Sequence, residues 1–415
     1  MRPEAAIQQA SSLLTDIFSK QTGADRLLNG YFRTERIGQS ERALLGDLIY
    51  GVLRHRRLLE AMFFDLEPDR PPTIPELVTC GWIHQQEMSL PDLAGWLALS
   101  PERDQFRPAS QLPLAEQYSV PDWMWAAFCA QWGEGEAGRL MLALNSQPTV
   151  DLRINAMKID RQGAQALLKE AGILASPTPF SPDGLRLERR YALKNLACFK
   201  EGLLEVQDEG SQLISRLLKP QPNQTVIDLC AGGGGKSLHL ATLMRDKGRV
   251  IATDHDARRL APLKARQRRA GLRSIHTMPI RHEGDAKLRK WTGKAQGVLV
   301  DAPCSGSGTL RRNPEIKWRL TPEQVANYRQ RQGALLDAGA RLVQKKGRLV
   351  YATCSLLAEE NQEIVADFQK HNRCFSLIPV GDDSEGLPLD GPFLTLLPHL
   401  SQTDGFFAAV FQRKS

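Results

Sequence analysis

Two cysteines stand in loops of small residues: Cys304 in Asp301-Ala302-Pro303-Cys304-Ser305-Gly306-Ser307-Gly308, and Cys354 in Thr353-Cys354-Ser355. Each follows a short apolar run, 298–300 or 349–352, of the kind that forms a buried strand. One such cysteine is ordinarily a packing residue. Two at neighbouring strand ends point to thiol chemistry. A thiolate added at carbon 6 of a cytosine converts the ring to an enamine whose carbon 5 attacks a sulfonium methyl group. A second group must then help the carbon 5 proton leave while the thiolate is expelled.

A methyl donor needs its own site, and Val226-Ile227-Asp228-Leu229-Cys230-Ala231-Gly232-Gly233-Gly234-Gly235-Lys236-Ser237 offers one. The glycines let backbone approach a ligand closely, and the helix that follows presents unpaired N–H groups. Three nucleotide readings compete. A phosphate-binding loop needs glycine where Cys230 stands, and a nicotinamide turn overlays only part of the run. Adenosylmethionine gains from the next apolar run, 250–253, which ends at Asp254, where an acid can accept hydrogen bonds from both ribose hydroxyls. An acid there fixes an adenosine, not a reaction.

These loops need elements to carry them. The runs 226–229, 250–253, 298–300 and 349–352 are each followed by a polar or glycine-rich turn and a helical stretch, which predicts an open, mostly parallel α/β sheet with ligands beyond its carboxyl ends. Upstream, 123–132 reads as helix, 150–154 as strand and 162–171 as helix stopped by Gly172, a small α+β module. The first part of the chain is helical: Ile7, Leu13, Leu14, Ile17 and Phe18 share one face, and Leu44, Leu45, Leu48, Ile49, Val52 and Leu53 another. Arg54, His55, Arg56 and Arg57 then read as a basic patch at a helix end. The expected division is 1–115 helical, 116–205 α+β linking module and 206–415 α/β domain.

Composition narrows the class. At 415 residues the chain exceeds one core, and 42% hydrophobic with 24% charged residues fits a folded protein. Apolar runs are too short to span a bilayer, and no secretion signal opens the chain, so no membrane partner and a cytoplasmic location are expected. Seven scattered cysteines, without CxxC spacing or a histidine cluster, predict free thiols and no metal. A net charge of +7 suits either a polyanion or a solvated basic surface. A monomer is expected.

On these motifs the sequence resembles the RNA cytosine-C5 methyltransferases of the Sun/Nop type, in particular the bacterial ribosomal-RNA methyltransferase B (RsmB) branch. The likeness runs from 206–212 through Arg311-Arg312-Asn313-Pro314-Glu315-Ile316-Lys317-Trp318 to Asp404-Gly405-Phe406-Phe407. It implies a Rossmann-like class I methyltransferase domain preceded by a helical NusB-like domain and the linking module, with S-adenosyl-L-methionine as cofactor. It further implies that Cys354 is the nucleophile and Cys304 assists release; in DNA C5 methyltransferases the cysteine of the Pro-Cys pair attacks instead. Asp301 lies where cofactor and cytosine meet, and Lys236 is catalytic or orienting. Cys230, Ala231, Gly232, Gly233, Gly234, Gly235 and Lys236 form the cofactor loop, Asp254 takes the ribose, and Asp285 is the adenine-side acid. Arg311, Arg312 and Lys317 would contact RNA phosphates. Ribosomal RNA is the implied partner, with transfer RNA open and a non-catalytic RNA-binding or ribosome-assembly factor as the alternative.

This sequence departs from the family in three places. Gly233 replaces a usual proline, which predicts a more flexible loop. Gln296-Gly297 stand where an acid commonly precedes the strand. The NusB-like region reads as shortened, its later helices replaced after about Leu90 by a loop-like stretch with Pro101, Pro108 and Pro113.

Overall fold

The apolar runs of the carboxy-terminal half become strands in a computed structural model that describes residues 1–20, 23–99, 105–381 and 389–415. The chain divides into two units: Met1–Gln147 with Thr309–Leu320, and Pro148–Gly308 with Thr321–Ser415.

The first unit is helical, consistent with the NusB-like domain expected there. Its helices are α1 (Pro3–Lys20), α2 (Ala24–Thr34), α3 (Gln39–Phe64), α4 (Ile74–Gln85), α5 (Leu90–Leu97), α6 (Leu114–Gln117), α7 (Asp122–Trp132) and α8 (Glu134–Asn145). The faces predicted from periodicity meet: Leu14 and Ile17 of α1, Leu45, Leu48 and Val52 of α3, and Val78 and Ile83 of α4 share one core. The region is not cut short at Leu90. Ser89 caps α5 by accepting from the Asp92 N–H, and helices continue past 115 to Asn145. The prolines misled because Pro108 and Pro113 only break the stretch between α5 and α6; Pro101 lies outside the described residues.

The basic patch at 54–57 is also not a helix end. The α3 helix bends at His55 (φ −114°, ψ 19°) and runs on to Phe64. Arg54 is buried and donates to the Arg311 carbonyl at 3.1 Å, while Arg57 donates to the Val120 carbonyl at 2.8 Å. Arg54 fastens the unit from inside and the half-buried Arg57 from its edge.

The second unit begins with an antiparallel sheet of β1 (Val150–Ile154), β2 (Ala175–Pro177), β3 (Gly184–Leu187) and β4 (Leu204–Val206) in the order β2-β3-β1-β4. Ala164 and Leu168 of the helix Arg161–Glu170 pack with Leu152 and Leu185 of this sheet, and Gly172 (φ 73°) ends the turn beyond the helix. Then come β5 (Thr225–Asp228), β6 (Arg249–Asp254), β7 (Ile275–Pro279), β8 (Ala295–Asp301), β9 (Val343–Thr353), β10 (Phe375–Ile378), β11 (Leu389–Asp390), β12 (Phe393–Leu396) and β13 (Phe406–Arg413). Among the described residues they order as β11-β12-β13-β9-β8-β5-β6-β7, with β10 on β13.

The strands β9, β8, β5, β6 and β7 run parallel, whereas β13 pairs antiparallel with β9. Val226 and Leu299 face one core, Ile227 and Val298 the other, so both sheet faces are covered and the runs are continuously apolar. The sequence marked β7 poorly because only Ile275 in it is buried. Strand order reverses beside β5, with β6 on one side and β8 on the other, which opens a crevice at their carboxyl ends.

Candidate active site

That crevice is a cleft of about 330 Å³ lined by Cys230, Asp254, Asp301, Cys304 and Cys354, with Glu283, Tyr328 and Arg331 on its walls. The loops after β8 and β9 bring the two thiols together at an Sγ–Sγ distance of 3.3 Å. Contact with Cys354, then burial and the negative charges of Cys354 and Glu360, push the Cys304 thiol well above its ordinary range. Cys304 is therefore held toward its thiol form.

At the end of β8, Asp301 accepts a hydrogen bond from Lys236 Nζ at 2.8 Å. Burial opposes the lysine's charge, but the Asp301 carboxylate outweighs it and raises the Lys236 pKa. The ammonium also lies 5.6 Å from the centre of the Phe406 ring. A fixed cation thus holds Asp301 in one orientation with its other oxygen available to a ligand.

The glycine loop follows β5. Gly232 and Gly234 adopt positive φ, 52° and 80°, and at Gly234 a Cβ would come within 2.2 Å of Leu263, so both positions need glycine. The Gly232 N–H donates to Asp254 Oδ2 at 2.9 Å and the Ala231 N–H to the Thr253 carbonyl at 2.7 Å, tying the loop to the end of β6. The Gly233 carbonyl, where a proline was expected to stiffen the loop, accepts from Arg266 Nη1 at 2.6 Å.

Asp285 sits differently from expectation. Its carboxylate accepts the N–H groups of Arg281 and Lys287 at 2.8 and 2.9 Å, capping the short helix Ala286–Arg289, and those bonds hold its pKa below the ordinary range. The acid lining the cleft on that side is Glu283. Local capping competed for the side chain, and spacing alone could not separate two acids two residues apart.

The expected phosphate contacts are corrected most strongly. Lys317 is fully buried, donating to the carbonyls of Arg54 and Ser119, both at 2.7 Å, and to Asn145 Oδ1 at 2.9 Å. Arg311 is also buried, and Arg312 is half-buried. Trp318 Nε1 donates to the Leu53 carbonyl at 2.7 Å, and Glu315 accepts the Ala24 N–H at 3.1 Å. The motif is an internal brace of the helical unit; its basic composition looked like a nucleic-acid surface because sequence does not show burial.

Gln296 is explained too: it accepts the Thr225 N–H at 2.8 Å and donates to Gln344 at 3.1 Å, linking β5, β8 and β9 without a charge.

Sequence reading missed Glu360, which is fully buried. It accepts the Ser305 N–H and a Gln332 Nε2 hydrogen, both at 2.8 Å, and the hydroxyls of Ser305 and Ser355. One carboxylate therefore binds the residue after each cysteine. Gly308 and Gly405 form a second tie. The Gly405 N–H donates to the Gly308 carbonyl at 2.8 Å, the Gly308 N–H to the Cys354 carbonyl at 2.9 Å, and a Cβ on Gly308 would lie 2.3 Å from the Gly405 oxygen. The signal for both ties was present only as an acid after Cys354 and two glycines within motifs.

A family model for 16S rRNA methyltransferase RsmB/F matches residues 215–412, and one for an RsmF/B-like ferredoxin-like domain matches 120–194. The chain is 32% identical to a probable ribosomal RNA small subunit methyltransferase B of Synechocystis sp., over 99% of each protein. It is 30% identical to the ribosomal RNA small subunit methyltransferase B of Salmonella paratyphi B, over 92% of each. Among solved structures, PH0851 aligns with 100% of this chain and 99% of its own at a TM-score of 0.79 and 24% identity, a likeness of fold. No helix among the described residues is long and apolar enough to cross a membrane, and no group of His, Cys, Asp and Glu among them could hold a metal.

Proposed function

The chain belongs to the RsmB/F family of ribosomal RNA small subunit methyltransferases, and from that premise we propose that it methylates carbon 5 of a cytosine in 16S ribosomal RNA through a covalent bond to Cys354. The observation that carries this reading is the thiol pair, 3.3 Å apart at the edge of a cleft that also holds Asp254 and Asp301.

The residues present fit S-adenosyl-L-methionine. The loop Cys230 to Lys236 allows close backbone approach, Asp254 offers acceptor capacity for ribose hydroxyls, and Glu283 takes the adenine side in place of Asp285. When bound, this cofactor supplies an electrophilic methyl group to carbon 5. The cytosine must leave its stack to reach sulfur. Asp301, oriented by Lys236, accepts a hydrogen bond from the cytosine amino group.

Cys354 as thiolate then bonds to carbon 6, and the displaced electron pair makes carbon 5 nucleophilic. After carbon 5 is methylated, its proton passes to solvent water while the ring double bond re-forms and the bond from carbon 6 to Cys354 breaks, returning Cys354 as a thiolate. Cys304, 3.3 Å away, assists this elimination by donating its thiol hydrogen to the departing sulfur.

The test is transfer of labelled methyl from adenosylmethionine to 16S ribosomal RNA or to transfer RNA, followed by bisulfite mapping. A single converted-resistant cytosine in 16S ribosomal RNA is the expected result. Label in transfer RNA alone would move the substrate, and no label in any RNA would leave a non-catalytic binding factor.

A further inference from the structure

Four consecutive glycines should make a soft loop, yet two of its carbonyls are held from outside the cleft. Arg266, on the helix Ala257–Ala270, donates through Nη1 to the Gly233 carbonyl at 2.6 Å, and its Nη2 meets Glu205 Oε2 in β4 at 3.0 Å. Arg269 pairs with the other oxygen of Glu205 and lies 4.2 Å from the centre of the Phe199 ring. Arg153 in β1 is buried and donates to the Gly235 carbonyl at 2.8 Å, bonding also to the Gln207 side chain. Arg153 and Glu205 are paired positions in the β1–β4 ladder. Neither Arg153 nor Arg266 lines the cleft.

We propose that the small antiparallel sheet is a clamp on the cofactor loop, in which Glu205 anchors Arg266 against Gly233 while Arg153 fixes Gly235. The inference rests on this loop binding adenosylmethionine. Gly233 does not need to be glycine for local geometry: its φ is not positive, and the nearest atom to an added Cβ is Arg266 Nη1 at 3.4 Å. Rigidity at this point comes from tertiary hydrogen bonds. A loop already fixed before ligand arrives has less conformational entropy to lose on binding, so the clamp acts on affinity. Arg153 and Arg266 are positioning residues.

Calorimetric titration of the full-length chain with S-adenosylhomocysteine tests this, with hydrogen exchange of the 230–236 segment as a second readout. Binding by the wild type checks the cofactor reading itself, and its absence would strike that reading rather than the clamp. Given a binding wild type, Arg266→Ala is expected to weaken affinity about tenfold and to speed exchange in the loop at an unchanged Tm. Glu205→Gln should weaken affinity in the same direction, and the double variant should be no worse than Arg266→Ala alone. Gly233→Pro, which stiffens the same position, should restore most of the affinity lost by Arg266→Ala. Should Arg266→Ala not fold, Arg266→Lys and Glu205→Gln carry the test. Wild-type affinity in Arg266→Ala, or in Glu205→Gln with unchanged loop exchange, overturns the proposal; so does a lowered Tm with affinity intact, which would make these residues braces only.

Discussion

The sulfur atoms of Cys304 and Cys354 lie 3.3 Å apart although 50 residues separate them in the chain. That contact, with burial, drives Cys304 toward its protonated form. Replacing Cys354 with alanine should reduce methyl transfer to background. Cys304→Ala should still attack but fail to release, leaving a protein–RNA adduct that survives denaturing electrophoresis. Normal turnover by Cys304→Ala would end the division of labour assigned to the two thiols.

Glu360 joins the two cysteine loops by bonds to Ser305 and Ser355. Glu360→Gln preserves shape and can keep a carbonyl oxygen toward the Ser305 N–H and Gln332, but it puts a donor where the carboxylate accepted the Ser305 and Ser355 hydroxyls, and should cost about 1–3 kcal/mol in thermal unfolding. Its second effect is electrostatic: with the negative charge gone, Cys304 in a Cys354→Ala background should alkylate at lower pH than with Glu360 present. An unaltered alkylation profile would reduce Glu360 to packing.

Two buried groups give stability an opposed dependence on pH. Burial lifts Asp228 from 3.8 to about 7, and burial lowers His239 from 6.5 to about 4. Between pH 4 and 6.5, folded Asp228 keeps a proton that the unfolded chain releases, so its contribution falls as pH rises. Folded His239 declines a proton that the unfolded chain binds, so its contribution rises with pH over the same range. Asp228→Asn should therefore show Tm climbing more steeply than wild type from pH 4 to 6.5, and a higher Tm than wild type above pH 7. Parallel Tm curves for the two proteins would contradict the Asp228 assignment.

Lys317 satisfies three acceptors in the helical unit. Lys317→Met removes their shared donor and should destabilise the chain by on the order of 3 kcal/mol. The salt dependence of RNA binding should keep its slope, whereas loss of a phosphate contact would reduce that slope by about one.

What the sequence determined alone was local. Continuous apolar runs gave the central parallel strands, glycine spacing gave the loop after β5, and residue chemistry singled out Cys304 and Cys354, while the family resemblance pointed to Asp301 and Lys236, because periodicity, turn conformation and nucleophilicity are properties of short segments. The fold decided which of these meet and which charged groups are inside. No pattern around Glu360 announces that it binds both cysteine loops, and the basic run containing Arg311 and Lys317 looks the same whether it faces solvent or, as here, is spent on the carbonyls of Arg54 and Ser119. Burial and partner choice arise from contacts between segments far apart in sequence, so they appear only when those segments pack, and the positions of Asp285, Glu283 and Arg266 were settled at that step.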